Sequence, residues 1–343
     1  MSGATAAPGY ALERRGTTRD LGDYVVGAGF AAGTPAFALA DGSLHLATGE
    51  AWPRVEAHDG GLLAFASAGR FFVTGGEDGR LARVTPEGEA TELARLGRGW
   101  VEHVATHADD RGRVVVAAGM GKAVHVVDGE GRALKTLEHP SSVGGVCFDA
   151  RGKRIAVAHY NGASLWFVAA KTDSPRRLEW KGSHIGIALS PDGDCVVTAM
   201  QENALHGWRL SEDAHMRMSG YPSKTRSMSF TRNGKWLATS GAESVVLWPF
   251  FGGGPTGKAP TELAGGDNVL CTQVAAHTQT DMVAAGFSDG MVVLADIGSS
   301  RILPVAPPGR RPVSALAWSA DGARLVFGTE DGFAAVVDFG RRD

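Results

Sequence analysis

The sequence predicts an all-β fold, and three features of the chain support this prediction. Its 343 residues include 48 Gly and 15 Pro, an enrichment in turn-forming residues that is typical of proteins with many short strands. Apolar and polar residues alternate in short runs such as Arg154–Val157 and Trp236–Thr239, as they do in half-buried strands. A turn motif also recurs along the chain at nearly constant spacing, which indicates a repeated unit of strands.

The repeated turn follows the second strand of each unit and is rich in Gly and Asn, which tolerate the positive φ of tight hairpins. It occurs at Asp41-Gly42, Asp78-Gly79, Met120-Gly121, Asn161-Gly162, Glu202-Asn203, Glu243-Ser244, Asp289-Gly290 and Asp331-Gly332. The first residues of these turns are separated by 37, 42, 41, 41, 41, 46 and 42 positions. Each unit has three clear strands and a weaker fourth. A four-stranded unit of about 40 to 45 residues is the blade of a β-propeller.

We therefore predict a β-propeller of four-stranded antiparallel blades. Eight blades leave about 43 residues for each unit and seven leave about 49, so eight is the prediction and seven the alternative. The last unit ends at Phe339 after its third strand, and the N-terminal segment Tyr10–Arg14 is predicted to supply the fourth strand and close the ring. Closure matters because an open ring exposes unpaired strand edges. Residues 1–9 are predicted to form a disordered tail, and residues 10–340 a single domain.

Short motifs stand at fixed places in the repeats. Ser190-Pro-Asp-Gly and Ser319-Ala-Asp-Gly follow first strands, and Glu77-Asp-Gly and Glu330-Asp-Gly form second turns. In these motifs the chain resembles the WD40-repeat family over residues 10–340, in a degenerate, bacterial-type form. The resemblance implies a propeller fold and a structural contact within a blade between a loop histidine and the turn aspartate.

Carried onto this sequence, that contact joins His58 to Asp78. The corresponding histidines of two later repeats, His139 and His184, are expected to face Asn161 and Asn203, which are poorer partners. Several blades should then be held less rigidly at this turn than in a strong member of the family.

The overall composition of the chain argues against several classes of protein. A net charge of −3 and a pI near 6.4 provide no basic field for nucleic acid. The three cysteines are widely spaced and lie among apolar residues, which argues against disulfides. The start of the chain lacks the pattern of a signal peptide, and no apolar run is long enough to span a membrane. The expectation is a monomeric cytoplasmic protein that binds neither nucleic acid nor a membrane.

A glycine run resembles a phosphate-binding loop. Gly252, four residues, and Gly257-Lys258 match most of the pattern, but Ala259 replaces the hydroxyl residue that binds Mg²⁺. Pro260 and a further glycine pair leave no room for the helix whose N-terminus would hold the phosphate. We interpret the segment as an insertion between the third and fourth strands of the sixth repeat.

No catalytic or metal-binding pattern stands out. His103 and His107 lie four apart, but on a strand their side chains would be about 13 Å apart and could not share one ion. No nucleophile elbow and no cysteine in a basic setting is present in the sequence. We therefore expect no enzyme activity, no cofactor and no metal.

The loops that link successive repeats are the best candidates for a binding surface, because in propellers they gather at one mouth of the central channel. Trp and Arg, two residue types that often anchor interfaces, are present there. The candidates are Trp100, Glu102, His139, His184, Lys224, Arg226, Asp267, Asn268, Arg310 and Arg311. The predicted function is a scaffold that binds a protein or peptide. The alternative is a propeller that binds or turns over a small molecule or metal ion through its loop histidines.

Overall fold

The fold was derived from a computed structural model that describes residues 9–340. All but one residue of the predicted tail 1–9 lies outside this range. Within it, the chain is almost entirely β, and its helix is too short to cross a membrane.

The described residues form one five-residue helix and thirty strands, numbered along the chain. They are α1 (Ala11–Arg15), β1 (Gly16–Asp20), β2 (Val25–Ala31), β3 (Thr34–Leu39), β4 (Ser43–Leu46), β5 (Arg54–Glu56), β6 (Leu62–Ser67), β7 (Phe72–Gly76), β8 (Arg80–Val84), β9 (Ala90–Arg95), β10 (Val101–Ala108), β11 (Val114–Met120), β12 (Ala123–Asp128), β13 (Ala133–Glu138), β14 (Gly145–Phe148) and β15 (Arg154–Phe167). The second half contains β16 (Arg176–Leu189), β17 (Cys195–Met200), β18 (Leu205–Arg209), β19 (Ala214–Met218), β20 (Met228–Phe230), β21 (Trp236–Thr239), β22 (Ser244–Pro249), β23 (Thr261–Gly265), β24 (Cys271–Ala276), β25 (Met282–Phe287), β26 (Val292–Asp296), β27 (Ile302–Ala306), β28 (Val313–Trp318), β29 (Arg324–Thr329) and β30 (Phe333–Asp338).

Hydrogen bonds join the described strands into seven antiparallel sheets, six of four strands and one of six. With each sheet counted as a blade, the propeller has seven blades, so the prediction of eight is corrected to the alternative. The physical reason is that β16 is 14 residues long and pairs with β15 at one end and with β17 at the other. The fourth and fifth sequence repeats therefore share one hydrogen-bonded sheet.

The turn predicted within the fourth repeat is present, although β15 runs through it without interruption. The backbone N–H of Val168 donates to the carbonyl of Lys153 at 2.9 Å, so the strand folds back on itself. The reversal occurs at Asn161 and Gly162, whose φ angles are +66° and +139°. A hydrogen bond of 2.9 Å between His159 Nε2 and Ser164 Oγ joins the two arms.

The inner strands form a closed ring around the central channel. Each contacts the next in the order β2, β6, β10, β14, β16, β20, β24, β28 and back to β2. Seven sheets supply eight inner strands because the six-stranded sheet supplies two. Each sequence repeat thus places one inner strand at the channel.

The ring is closed by an N-terminal strand, as predicted, but by a different segment. Strand β1, Gly16–Asp20, pairs with β30 and completes the last sheet. The segment Tyr10–Arg14, predicted to play this part, overlaps α1 instead, which packs against β27 and β30. The two threonines of β1 suit a strand, whereas Ala-Leu-Glu-Arg-Arg are good helix formers.

The core lies between neighbouring sheets and is built mainly from second strands. These strands lie inside each sheet and are covered on both faces, so their residues are buried without alternation, as in β7 and β17. The largest fully buried side chains include Phe37, Phe72 and Phe287 from three such strands. Burying an aromatic side chain of this kind stabilises the fold by about 2 kcal/mol.

Candidate functional site

We call the end of the channel where the loops between repeats lie the loop mouth. At this end the turns after several second strands, those of Gly42, Gly79, Gly290 and Gly332, pack tightly under a loop that links two repeats. A Cβ added to Gly79 would lie 2.1 Å from the carbonyl oxygen of Gly97, and one added to Gly332 would lie 2.7 Å from the amide nitrogen of Asp23. Both glycines also have positive φ, so only glycine fits both demands. These contacts hold the loops of the mouth against the sheets.

The ten candidate residues differ in how accessible they are. Two of them, His139 and His184, are buried, and Lys224 is half-buried. The exposed ones are Trp100, Glu102, Arg226, Asp267, Asn268, Arg310 and Arg311.

The two buried histidines are held inside their own blades. Trp166 donates its indole N–H to His139 Nε2 at 3.1 Å. His184 Nε2 lies 3.0 Å from the carbonyl of Trp180, and its Nδ1 lies 2.7 Å from Thr198 Oγ1. Burial lowers the pKa of both imidazoles, to about 4 for His139. They are therefore neutral packing residues at pH 7, and the asparagines expected to face them are not among their hydrogen-bond partners.

The pair implied by the family resemblance, His58 and Asp78, forms a close contact. His58 Nδ1 lies 3.1 Å from Asp78 Oδ1, and its Nε2 lies 2.8 Å from Thr74 Oγ1. Because a carboxylate only accepts, the proton is on Nδ1 and Nε2 accepts from the threonine. Burial acts to raise the pKa of Asp78, but hydrogen bonds from Arg80 and His58 outweigh it and hold the pKa at about 2.

A tyrosine takes the place of the loop histidine in the sixth repeat, which sequence reasoning missed. Tyr221 is buried, and its hydroxyl lies 2.6 Å from both Thr239 Oγ1 and Trp248 Nε1. Thr239 donates its own proton to the carbonyl of Val246. The tyrosine hydroxyl therefore donates to Thr239 and accepts from Trp248. The available signal was its position just before the first strand of its repeat, where other repeats have histidine.

We expect Tyr221→Phe to destabilise the protein by about 1 to 3 kcal/mol, because it leaves the buried indole N–H of Trp248 without an acceptor. Urea unfolding followed by tryptophan fluorescence measures the loss. Tyr221→His is the matched control, since an imidazole can accept from an indole as His139 does from Trp166. An equal loss in both variants would contradict this account.

One cavity at the loop mouth brings two of the exposed candidates together. It has a volume of about 380 Å³ and is lined by Glu102 and Arg226, together with the inner-strand residues Val104, Gly145 and Ile187. The other candidates do not line it. Arg310 instead lies over the ring of Phe333, with its guanidinium carbon 4.3 Å from the centroid.

Two exposed aromatic residues of the loop mouth were missed by sequence reasoning. Tyr24 is 37% exposed and lies just before β2, and Tyr160 is 58% exposed at the reversal of β15. Trp100, predicted from the sequence, is 56% exposed. The alternation of apolar and polar residues along β15 did not predict that Tyr160 is exposed, because its exposure depends on the geometry of the turn in the six-stranded sheet.

The described residues contain no group of three or more His, Cys, Asp or Glu side chains placed to hold a metal ion. His103 lies on β10 and contacts the carbonyl of Val143 through Nε2 at 3.1 Å. Burial raises the pKa of the Cys195 thiol to about 11 and that of Cys271 to about 12, so both are protonated near neutral pH.

The glycine-rich insertion contains no phosphate site of the usual kind. No helix follows it within residues 9–340, where β23 is the next element. The ammonium of Lys258 donates to the carbonyl of Gly252 at 2.8 Å and also bonds the carbonyl of Phe251. The lysine is thus bound by its own loop.

Comparison with known proteins agrees with this architecture. No family model matches the chain. Autophagy-related protein 16 of Arabidopsis thaliana is 24% identical over 291 residues, or 82% of this chain and 56% of that protein. Telomerase protein component 1 of Mus musculus is 26% identical over 57% of this chain and 7% of that protein. U3 small nucleolar RNA-associated protein 12 of Saccharomyces cerevisiae is 28% identical over 27% of this chain and 11% of that protein. The chain therefore corresponds to only part of each relative.

Solved structures are similar over most of the chain. The computationally designed Ika8 protein superposes with a TM-score of 0.75 at 18% identity, covering 93% of this chain and 98% of that one. The WD40 repeats of RRP9 superpose with a TM-score of 0.64 at 16% identity, covering 83% and 96%. The protein is a β-propeller of the WD40 type, which confirms the resemblance seen in its motifs.

Proposed function

We propose that this protein is a non-catalytic scaffold that binds a partner protein or peptide through its loop mouth. The observation that carries the proposal is the exposure of Tyr24, Trp100 and Tyr160 at this one end of the channel. Tyrosine and tryptophan contribute large, rigid contact areas and are enriched among residues that dominate binding energy.

Two further observations support a protein partner. The loops of the mouth are fixed by glycine turns such as Gly79 under Gly97, and a rigid surface loses little entropy when it binds. The net charge of −3 provides no field for nucleic acid, so the proposal is a cytoplasmic monomer whose partner is a protein.

Affinity capture from lysate of the source cells, read by mass spectrometry, tests the proposal. We expect the wild-type protein to retain a partner and the double variant Trp100→Ala/Tyr160→Ala to lose at least about 90% of it, because removing an anchor aromatic costs 2 kcal/mol or more. The matched control is Phe167→Ala/Phe251→Ala, which removes two exposed aromatic side chains near the other mouth.

Circular dichroism establishes that both double variants are folded. Equal retention by all three proteins would place the binding surface elsewhere. Loss in the control alone would move the surface to the opposite mouth.

A further inference from the structure

The cavity at the loop mouth is bordered by inner segments of neighbouring repeats. Its wall between β10 and β20 includes Gly144, Gly145 and Gly186, which present no side chain to the channel, together with Val146, Ile185 and Ile187. A Cβ at Gly144 would lie 2.1 Å from the carbonyl oxygen of His184, so close packing of β14 and β16 requires glycine here. This wall leaves an opening of about 380 Å³ between the side chains on either side of it.

Opposite charges stand at the two sides of this opening and do not pair. Glu102 lies on β10 and Arg226 lies just before β20, with β14 and β16 between them. Among the described residues neither side chain has an ion pair or a side-chain hydrogen bond, although both line one cavity. Both side chains are exposed, so each is accessible to a ligand group of the opposite charge.

Glu102 and Arg226 also act electrostatically on neighbouring groups. Burial and the carboxylate of Glu330 raise the pKa of Tyr24, while Arg226 lowers it, so both charged groups lie near this phenol. Glu102 also lies close enough to favour the protonated form of His103. The cavity itself is lined by the carboxylate of Glu102 and the guanidinium of Arg226, so a fitting ligand carries a cation beside its anion.

Between these charges the lining includes three apolar side chains. Val104, Ile187 and Met228 border the cavity and suit the methylene stem of a long side chain. A volume near 380 Å³ is at the lower end of the range for ligand pockets and suits one residue better than a longer segment.

We propose that this cavity receives the C-terminal residue of the partner protein, with its carboxylate on Arg226 and a basic side chain on Glu102. A C-terminus is favoured over an internal segment for two reasons. Its carboxylate lies next to the side chain of the last residue, and the polypeptide needs to pass through the opening only once. Arginine binds carboxylates bidentately, which fixes the terminus, and a lysine or arginine side chain spans towards the glutamate. This inference rests on the proposed scaffold function and specifies its partner.

Isothermal titration with short acetylated peptides tests the inference. The probe is Ac-Gly-Gly-Ala-Lys with a free C-terminus, compared with its C-terminal amide and with the peptide ending in norleucine. We expect each altered peptide to bind about tenfold more weakly, since each loses one charge-assisted contact. In Arg226→Gln the free acid and the amide should bind equally, and in Glu102→Gln the lysine and norleucine peptides should bind equally.

The possible outcomes separate this inference from the proposed function. If the free acid does not bind, or the variants keep the wild-type preferences, the inference is overturned. Capture of a partner that depends on Trp100 and Tyr160 then still supports the scaffold. If free L-lysine binds as tightly as the peptide, the site takes a free diamino acid, and the assignment of a protein terminus is overturned.

Discussion

The protein should lose stability steeply as the pH falls from 6.5 towards 4, because several of its histidines are buried in the neutral form. Burial lowers the pKa of His139 to about 4 and that of His206 to about 3, and it also lowers the pKa of His45, His58 and His184. In the unfolded chain these imidazoles take up a proton near pH 6.5, whereas in the folded chain they remain neutral.

The sign follows from this difference in proton binding. Below pH 6.5 the unfolded state binds more protons, so the stability present above that pH is lost as the pH falls towards the folded-state values. His139 and His206 each contribute about 1.4 kcal/mol for each pH unit between about 5.5 and their folded-state pKa values. His139 and His206 together therefore give a slope of about 3 kcal/mol per pH unit between pH 5.5 and 4.5.

Urea unfolding at pH 7, 6, 5.5 and 4.5 measures this slope. His206→Gln should reduce the slope by about 1.4 kcal/mol per pH unit, because one fewer proton is taken up on unfolding. This change in slope is independent of any effect of the substitution on stability at pH 7. The pKa of the Asp78 carboxylate is held at about 2, so protonation of such groups lowers stability mainly below pH 4. Their contribution therefore lies outside the range from pH 5.5 to 4.5 in which the histidine slope is measured. A free energy of unfolding that stays constant from pH 6.5 to 4.5 would refute the explanation.

Removal of residues 1–20 should have the other large effect, since it removes the strand that closes the ring. Five residue pairs join β1 to β30, and without them the edge of β30 is unpaired. At about 1 kcal/mol for each hydrogen bond, together with the lost packing of α1, the free energy of unfolding should fall by about 5 kcal/mol. The open edge should also promote association between copies.

Thermal unfolding and size-exclusion chromatography measure both consequences. Removal of residues 1–9 alone is the matched control, because it leaves α1 and β1 in place. We expect this shorter truncation to unfold and elute like the full chain. A 1–20 truncation that matched it in melting temperature and elution would show that β1 contributes little to closure.

The fourth repeat shows the limit of counting turns. The spacing of Asn161-Gly162 predicted a hairpin, and the chain does reverse there, but no sequence pattern showed that β16 would continue from that repeat into the next. Whether two repeats share a sheet depends on how far the pairing between consecutive strands extends, here from Gly162 with Glu179 on β15 and β16 to His184 with Met200 on β16 and β17.

The sequence by itself determined the all-β class, the repeat length, the closure by an N-terminal strand and the contact between His58 and Asp78. The class and the repeat length follow from local turn chemistry and strand alternation, the closure from the missing fourth strand of the last unit, and the contact from the resemblance to the WD40 family. Only the tertiary structure decided which loop residues are accessible: His139 and His184 are buried, and Tyr160 is exposed. It also placed Glu102 and Arg226 at one cavity, because their separation depends on the curvature of the ring and on the glycines of β14 and β16.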